Sequence, residues 1–425
     1  SRCLMKKVYT SINLGSDTIK FVVGELYNNK INLLSSYEIT SKGIRKGLIV
    51  DANLVINSIK DGIKEINKNL GIEIKKVIVN VPSYNAKFLY VTSSITNENE
   101  DKIITSKMVA NLIKKSVYSK LANDYELLTV IPLDFVIDGN KGNNKAVGIK
   151  GTEIEFKGIM ISTPKKNIYS VISCIEGASL EVADITFDGI GDYFEVRNAN
   201  LDKKVGAIIN LGHDTTTVSI INKGKFMNTE IIQIGGRSID KDLACVFGIS
   251  IFDARTIKEK FAVAHKRYAQ IGETYEVKNN LGEMIKLNQY EVSQVTMERL
   301  IELLNLAKKQ ILLLTKQNIN YIVFTGGLTE IKNFRNLCYE IFGKDVIIYS
   351  MNTLGIRDNK YTTSLGMIKY FIDKMEVRGK EISLISEEDE VSLITPKNNH
   401  RKIEGKIITN LFTKFLSNNK EEKND

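Results

Sequence analysis

The chain has 425 residues, enough for two or more domains, and its 43% hydrophobic and 26% charged residues are typical of a globular protein. Its net charge of +9 admits an anionic partner, although we attribute it mainly to a solvated, lysine-rich surface. Four scattered cysteines without a CxxC pair and three isolated histidines indicate neither a disulfide framework nor a metal centre. We find no signal peptide and no apolar run of membrane-spanning length, and we take Met5 as the native start.

The first predicted element is a hairpin near the start of the chain. An apolar run ends in Asn13, Leu14 and Gly15, and a second β-like run follows at 19–23. Between them stand hydroxyl side chains and a glycine, which lets the backbone approach a phosphate and present its N–H groups as an anion nest. A helix is predicted over 52–70 with Asp51 as its cap, followed by a buried strand at 77–81.

The pattern changes after this strand. Residues 83–160 predict short strands with one helix near 106–121, and a helix over 165–177 and a strand over 181–187 follow. The next four residues, 188–191, read Asp-Gly-Ile-Gly. We therefore expect a separate, strand-rich unit in the middle of the first half.

A second hairpin with the same order of residues is predicted over 205–226. Its first apolar run ends in Asn210, and a glycine and hydroxyls follow at the tip. His213 lies in this tip, where a phosphate contact and an ordinary turn position are equally compatible with the pattern. An amphipathic helix is predicted over 297–311, and residues 321–334 predict a strand that runs through a Gly-Gly turn into a helix, an arrangement suited to a nucleotide.

The last 50 residues differ in composition. Residues 376–402 are polar, with an acidic run at 387–390, and predict a tether. Residues 403–416 predict an amphipathic helix about 21 Å long, which is too short to cross a bilayer. We expect its apolar face to lie on an anionic membrane surface, the alternative being packing on the protein body. That face consists of Ile403, Ile407, Ile408, Leu411, Phe412, Phe415 and Leu416.

Two such hairpins followed by a strand, a Gly-Gly turn and a helix resemble the ATPase fold of actin, Hsp70 and sugar kinases. The resemblance implies an α/β class: a duplicated actin-like (ribonuclease H-like) ATPase fold with an inserted 1C subdomain and a C-terminal amphipathic helix. Over about residues 6–375 the chain resembles the bacterial cell-division protein family FtsA. The similar segments are 43–51, 131–139, 146–151, 234–236 with Asp242, and 361–366.

The FtsA resemblance implies an order of subdomains along the chain. The expected boundaries are 5–82 for the first part of 1A, 83–161 for the inserted 1C, 162–202 for the second part of 1A, 203–251 for 2A, 252–312 for 2B, 313–360 for the rest of 2A, 361–376 for the final helix of 1A, 377–402 for a linker and 403–418 for the membrane-targeting helix.

The resemblance also implies an ATP site between the two halves. The expected contacts are Asn13, Gly15, Ser16, Asp17 and Thr18 from the first hairpin, Asn210, Gly212, Asp214, Thr215 and Thr216 from the second, Gly235 and Gly236 near the phosphates, Lys258 near the ribose, and Gly326, Gly327 and Leu328 at the adenosine.

The chain departs from the family at the metal. Asn13 and Asn210 stand where most members carry carboxylates that hold a hydrated Mg²⁺, so we expect these amides to contact Mg²⁺ through water and to hold it weakly. Asp214 is an alternative source of the missing charge, and Arg255 replaces the glutamate that usually precedes the ribose lysine. We therefore expect ATP binding with weak or absent turnover, and we assign no catalytic residue.

The function implied is that of an adaptor at the division septum, on the cytoplasmic face of the cell membrane. Expected partners are the C-terminal peptide of the tubulin-like protein FtsZ, the anionic membrane, further copies of the chain in a protofilament, and downstream division proteins that contact 1C; no nucleic acid is expected. Arg299 is the candidate contact for the acidic peptide, unless it only pairs with Glu302. The alternatives are another actin-like membrane-associated adaptor, similar to the pilus protein PilM, and a kinase of the same superfamily.

Overall fold

The computed structural model describes residues 7–343, 345–351, 359–380 and 382–385. The predicted membrane helix at 403–418, and most of the linker before it, lie outside these residues. The first half begins with β1 Lys7–Leu14, β2 Thr18–Tyr27, β3 Lys30–Thr40, β4 Ile44–Arg45, β5 Leu48–Ile49, α1 Ala52–Leu70 and β6 Lys76–Asn80. It continues with β7 Lys87–Thr96, α2 Ser106–Val117, β8 Tyr125–Ile137, β9 Asn140–Asn143, β10 Glu153–Pro164, α3 Lys165–Gly177, β11 Glu181–Thr186 and α4 Asp188–Val196.

Among the described residues, the second half consists of β12 to β18 with four α-helices, and a last helix returns to the first half. Its elements are β12 Val205–Leu211, β13 Thr216–Asn222, β14 Lys225–Ile232, α5 Gly236–Phe247, α6 Ile251–Lys260, β15 Thr274–Lys278, β16 Met284–Asn288, α7 Gln289–Leu314, β17 Tyr321–Thr325, α8 Phe334–Phe342, β18 Val346–Ile348 and the returning helix α9 Thr362–Val377.

Each half is built on a sheet of the same topology. The first has the strand order β11-β6-β1-β2-β3 and the second β14-β13-β12-β17-β18. In both, an antiparallel meander of three strands is extended on the side of its first strand by two parallel strands. The chain is therefore a duplicated α/β fold, as predicted, and the β1–β2 and β12–β13 turns occupy equivalent positions in the two sheets.

A third sheet is inserted between β6 and α3, with the order β7-β10-β8-β9 and antiparallel pairing throughout. Its strands are longer than the sequence suggested, since β8 has 13 residues. α2 packs on this sheet and ends at Val117, four residues before the predicted end, because Tyr118 has left the helical conformation. Phe135 and Phe156 are fully buried in a small core between this sheet and α2.

Local signals explain most helix boundaries. Asp51 accepts a hydrogen bond from the N–H of Leu54, and the helix ends at the left-handed Gly71, as capping predicts. α7 is much longer than the predicted 297–311, because Asn288 caps a start eight residues earlier. The Gly-Gly turn after β17 leads first into a 3₁₀ turn, Gly327–Glu330, and only then into α8, so the predicted continuous strand-to-helix passage is wrong in that detail.

Helices cover both faces of the first sheet. The apolar face of α1 packs on one side through Val55, Ile59 and Ile63. On the other side α9 packs against β1 and β2, and it crosses α4 closely. The segment 188–191 is the first turn of α4, and this helix also packs against β12, β13 and β14 of the second sheet.

Candidate functional site

The two hairpin turns face one another across a cavity of about 520 Å³ between the halves. Glycines and hydroxyl-bearing residues of both tips line it, together with the turn that follows β17. Of the predicted contacts, the cavity is lined by Asn13, Gly15, Ser16, Asp17, Thr18, Asn210, Gly212, Asp214, Thr215, Gly236, Lys258, Gly326, Gly327 and Leu328.

Two predicted contacts, Thr216 and Gly235, lie behind the cavity wall. The Thr216 side chain is fully buried and its hydroxyl donates to the carbonyl of Ile234 at 2.9 Å. Gly235 passes close to the backbone of the second hairpin, and the next N–H, that of Gly236, donates to the Gly212 carbonyl at 2.9 Å. Both residues therefore shape the wall behind the second hairpin.

Gly326 lies where β17 ends beside β12. Its φ of +92° is in the region that favours glycine, and a Cβ there would lie 2.4 Å from the carbonyl oxygen of Leu211. Only glycine lets the turn after β17 approach the end of β12 this closely. The turn thereby forms one wall of the cavity beside the second hairpin.

An ion pair crosses the cleft. Arg255 on α6 donates two hydrogen bonds to the carboxylate of Asp17 in the first hairpin, at 2.6 and 2.8 Å. Burial acts to raise the pKa of Asp17, but the Arg255 hydrogen bond and nearby positive charge outweigh it and hold that pKa below its ordinary value. Arg255 thus joins the two halves of the chain.

A second connection lies at the other hairpin. The backbone N–H of Lys46 donates to Asp214 Oδ2 at 3.2 Å, and its ammonium donates to Gln233 at 3.2 Å. His213 Nε2 lies 3.9 Å from a carboxylate oxygen of Asp17 and of Asp214, while burial lowers its pKa. Asp214 therefore accepts a hydrogen bond from the first half of the chain, and its role as the carboxylate that holds the metal stays a prediction.

Lys258 lines the cavity but is already paired. Its ammonium lies 2.7 Å from Asp240 Oδ1 and donates to the carbonyl of Gly236 at 3.3 Å, and both charged side chains are almost fully buried. Burial raises the pKa of Asp240, against the opposing effect of Lys258. A ribose contact by Lys258 would have to coexist with this pair.

The asparagines at the ends of β1 and β12 each meet a carboxylate of α4. Asn13 Nδ2 lies 3.4 Å from Asp188 Oδ1, and Asn210 Nδ2 lies 2.8 Å from Asp192 Oδ2. Burial raises the pKa of Asp188 to about 6 and that of Asp192 to about 7, in spite of the hydrogen bonds that favour ionisation. Asp188 lines the cavity, whereas Asp192 is 1% exposed.

Sequence reasoning missed six charged residues that line the cavity: Lys20, Glu38, Asp188, Glu259, Glu330 and Lys360. Lys20 is the cross-strand neighbour of Asn13 in β1 and β2, and among the described residues its side-chain ammonium has no direct hydrogen bond or ion pair. The alternation of β2 could have indicated it, since Thr18 and Lys20 share one face. Asp188 carried only a weak signal, a carboxylate at the end of a buried strand.

Metal coordination by the protein alone is not indicated, because the described residues contain no group of three or more His, Cys, Asp or Glu side chains placed to hold an ion. This donor set still fits an Mg²⁺–nucleotide, since Mg²⁺ usually keeps several waters and takes one or two carboxylates besides the phosphates. Asp188 supplies a carboxylate suited to the metal, and the hydroxyls of the tips and the Lys20 ammonium are groups suited to the phosphates.

Arg299 lies on α7, away from the cleft lining. Its guanidinium donates to both carboxylate oxygens of Asp242, at 2.6 and 3.0 Å, and to Glu302 at 2.5 Å. Its side chain is 28% exposed. The predicted pairing with Glu302 is present, so an acidic peptide would have to compete with two carboxylates of the chain itself.

In the portion of the chain that the structure describes, no helix is both long enough and apolar enough to span a bilayer. The seven predicted membrane-facing residues of 403–416 lie outside that portion, so the structure leaves their role a prediction.

The duplicated sheets and the cleft between them define an actin-like fold, and solved structures agree. The PilM–PilN type IV pilus biogenesis complex aligns with a TM-score of 0.57 at 11% identity, covering 84% of this chain and 97% of that one. MreB5 of Spiroplasma citri bound to ADP aligns with a TM-score of 0.55 at 12% identity, covering 88% and 98%.

Sequence comparison narrows the class to a family. Residues 207–366 match the family described as "Cell division protein FtsA", and residues 87–162 match the "SHS2 domain inserted in FTSA". The FtsA of Enterococcus hirae is 25% identical over 374 residues, 87% of this chain and 84% of the relative. That of Bacillus subtilis strain 168 is 24% identical over 392 residues, 91% and 89% of the two chains. This chain belongs to the FtsA family of cell-division proteins.

Proposed function

We propose that this FtsA-family chain binds ATP with Mg²⁺ in the cleft between its two halves and tethers FtsZ filaments to the cell membrane at the division septum. The observation that carries the proposal is the meeting of two phosphate-type hairpins and the Gly326-Gly327 turn around one cavity. Glycines and N–H groups at such tips suit phosphates, and the Lys20 ammonium adds positive charge beside them.

We further propose that ATP turnover is weak or absent. The amides Asn13 and Asn210 bring no negative charge to a metal. Both amides are also engaged with carboxylates of α4, which restrains them. Nucleotide would then act mainly by favouring closure of the cleft, since Arg255 and Lys46 already join its two sides.

The membrane role rests on the sequence. Residues 403–416 place all their large apolar side chains on one helical face, and basic residues flank that face. We propose that this helix lies on the anionic cytoplasmic face of the membrane, with residues 377–402 as its linker. Family membership supports the proposal, because a cell-division protein acts where the envelope constricts.

We propose that the chain assembles with copies of itself into an actin-like protofilament, and that the sheet of β7 to β10 contacts downstream division proteins. We also propose that the acidic C-terminal peptide of FtsZ binds near Arg299. Arg299 is partly exposed and offers a bidentate guanidinium, which suits a carboxylate. A carboxylate of the peptide has to compete with Asp242 for this guanidinium, so we expect a modest affinity for the peptide.

The two alternatives are weaker. A PilM-like adaptor shares the fold at 11% identity, whereas both matched families carry FtsA in their descriptions. A kinase needs a carboxylate base in the cleft and a pocket for a second substrate, and the sequence carries no motif for either. Stoichiometric phosphorylation of an added sugar by the purified chain would favour the kinase over the adaptor.

Calorimetric titration with Mg-ATP tests the nucleotide site, and we expect micromolar binding. Pelleting with anionic vesicles tests the tether. We expect the full chain to pellet with the vesicles together with labelled FtsZ. We expect a chain that lacks Lys402 to Asp425 to stay in solution, and FtsZ to stay in solution with it. The same truncation should bind Mg-ATP unchanged, which serves as its folding control. Equal pelleting of the two chains would exclude the C-terminal helix as the anchor.

A further inference from the structure

The charges beside the two hairpins are carried by α4. The strands β1 and β12 each carry an asparagine just before their last residue, and each amide donates to a carboxylate: Asn13 to Asp188 at 3.4 Å and Asn210 to Asp192 at 2.8 Å. The two aspartates are four residues apart, so they share one face of the helix. A carboxyl group of α4 is therefore present next to both hairpins, although neither hairpin strand carries one at this position.

Only one of these carboxylates can reach a ligand in the cavity. Asp188 is part of the cavity lining. Asp192 is 1% exposed, and it accepts hydrogen bonds from Thr363 at 2.6 Å as well as from Asn210. The cavity thus has an accessible carboxylate at the first hairpin and a satisfied, buried one at the second.

Asp188 is held in a fixed orientation. Asn80 at the end of β6 donates to Asp188 Oδ1 at 2.8 Å, while its own Oδ1 accepts from the backbone N–H of Leu14 at 2.6 Å. Asn13 contacts the same Oδ1. Among the described residues no hydrogen bond reaches Asp188 Oδ2, so one oxygen is anchored by two amides and the other remains available to a ligand.

We propose that Asp188 Oδ2 contacts, directly or through a water, the Mg²⁺ of a bound nucleoside triphosphate, and that Asn13 and Asn80 are the positioning residues for that carboxylate. One carboxylate added to phosphate oxygens and water is a common environment for Mg²⁺. Lys20, the cross-strand neighbour of Asn13, lies on the same face and offers its ammonium to the phosphates. The inference rests on the proposed nucleotide binding, and it makes Asp188, instead of Asp214, the source of the negative charge that faces the metal.

The test compares ATP affinity with excess Mg²⁺ and in EDTA, measured by calorimetry on the full chain. Wild type is expected to bind more tightly with Mg²⁺. Asp188→Asn keeps the shape but removes the charge, so the gain from Mg²⁺ should fall about tenfold or more. Its affinity in EDTA should stay equal or rise, because a negative charge beside the phosphates is gone. A purely structural role would lower both affinities together.

Asp192→Asn is the matched control, because it makes the same chemical change one turn further along the same helix. It should keep the Mg²⁺ gain of wild type. The exchange variant Asn13→Asp with Asp188→Asn returns a carboxylate to the other partner of the 3.4 Å contact and should recover most of that gain. Thermal melting without nucleotide verifies that each variant is folded.

The outcomes separate this inference from the proposed function. If wild type binds ATP with an Mg²⁺ gain and folded Asp188→Asn retains that gain, the inference is overturned and the nucleotide site stands. If wild type binds ATP under neither condition, both are overturned. Should Asp188→Asn fail to fold, the exchange variant carries the test, and a folded exchange variant without an Mg²⁺ gain counts against the proposal.

Discussion

Asp192 should make the stability of this protein fall as the pH rises. Its carboxylate is 1% exposed, and burial raises its pKa from 3.8 to about 7, against the opposing hydrogen bonds of Thr363 and Asn210. The folded protein therefore binds this proton more tightly than the unfolded chain does. Its stabilisation is fully present below about pH 4, and it is lost as the pH rises toward and through 7.

The size of the effect follows from the two pKa values. Between pH 5 and pH 8 this one group should remove about 3 kcal/mol from the free energy of unfolding. Asp192→Asn has no proton to lose and should abolish this component. The new amide can still accept the Thr363 hydroxyl, and the Asn210 amide can rotate to meet its NH₂ group.

Denaturant unfolding of wild type and Asp192→Asn at pH 5, 6, 7 and 8 measures the difference. We expect the variant to gain about 3 kcal/mol relative to wild type across this range, and the pH dependence that remains to come from groups common to both, such as Asp188. Parallel stability curves for the two proteins would refute the argument, since they would mean that Asp192 is ionised at pH 5 in the folded state.

Three further predictions concern other parts of the molecule. Gly366→Ala should destabilise the protein by about 3 kcal/mol or more in denaturant unfolding, because its Cβ would lie 1.6 Å from a backbone oxygen of α4. Arg255→Ala should weaken ATP binding several-fold at low salt, because the negative charge of Asp17 then faces the phosphates without its positive partner. Adding the change Asp17→Asn should restore the affinity. A loss of affinity that does not depend on salt concentration would contradict this explanation. Arg299→Glu should weaken binding of the acidic FtsZ tail peptide by about 1 kcal/mol or more in fluorescence anisotropy, while the control Arg335→Glu on α8 should leave it unchanged.

Much of the fold was predictable from local pattern. The hairpins at 8–25 and 205–226 show the same order of an apolar run, Asn-Leu-Gly, hydroxyls and a second β-like run, and that repetition predicts a duplication. The capped helix α1 and the strand β17 were also predictable, because the periodicity of apolar residues and helix capping depend on residues that are neighbours in the chain. The helix boundaries at 117 and 289 were missed, since Tyr118 leaves the helical conformation after α2 and Asn288 caps α7 eight residues before the predicted start.

The sequence alone determined the duplicated hairpins, the Gly-Gly turn and the amides in place of carboxylates, because each is a property of adjacent residues. Only the tertiary structure decided what those amides contact. Asp188 lies 175 positions from Asn13, and Arg255 lies 238 positions from Asp17. Pairs so distant leave no periodicity in the chain, and they meet only because two sheets of the same topology place their first hairpins and α4 around one cleft.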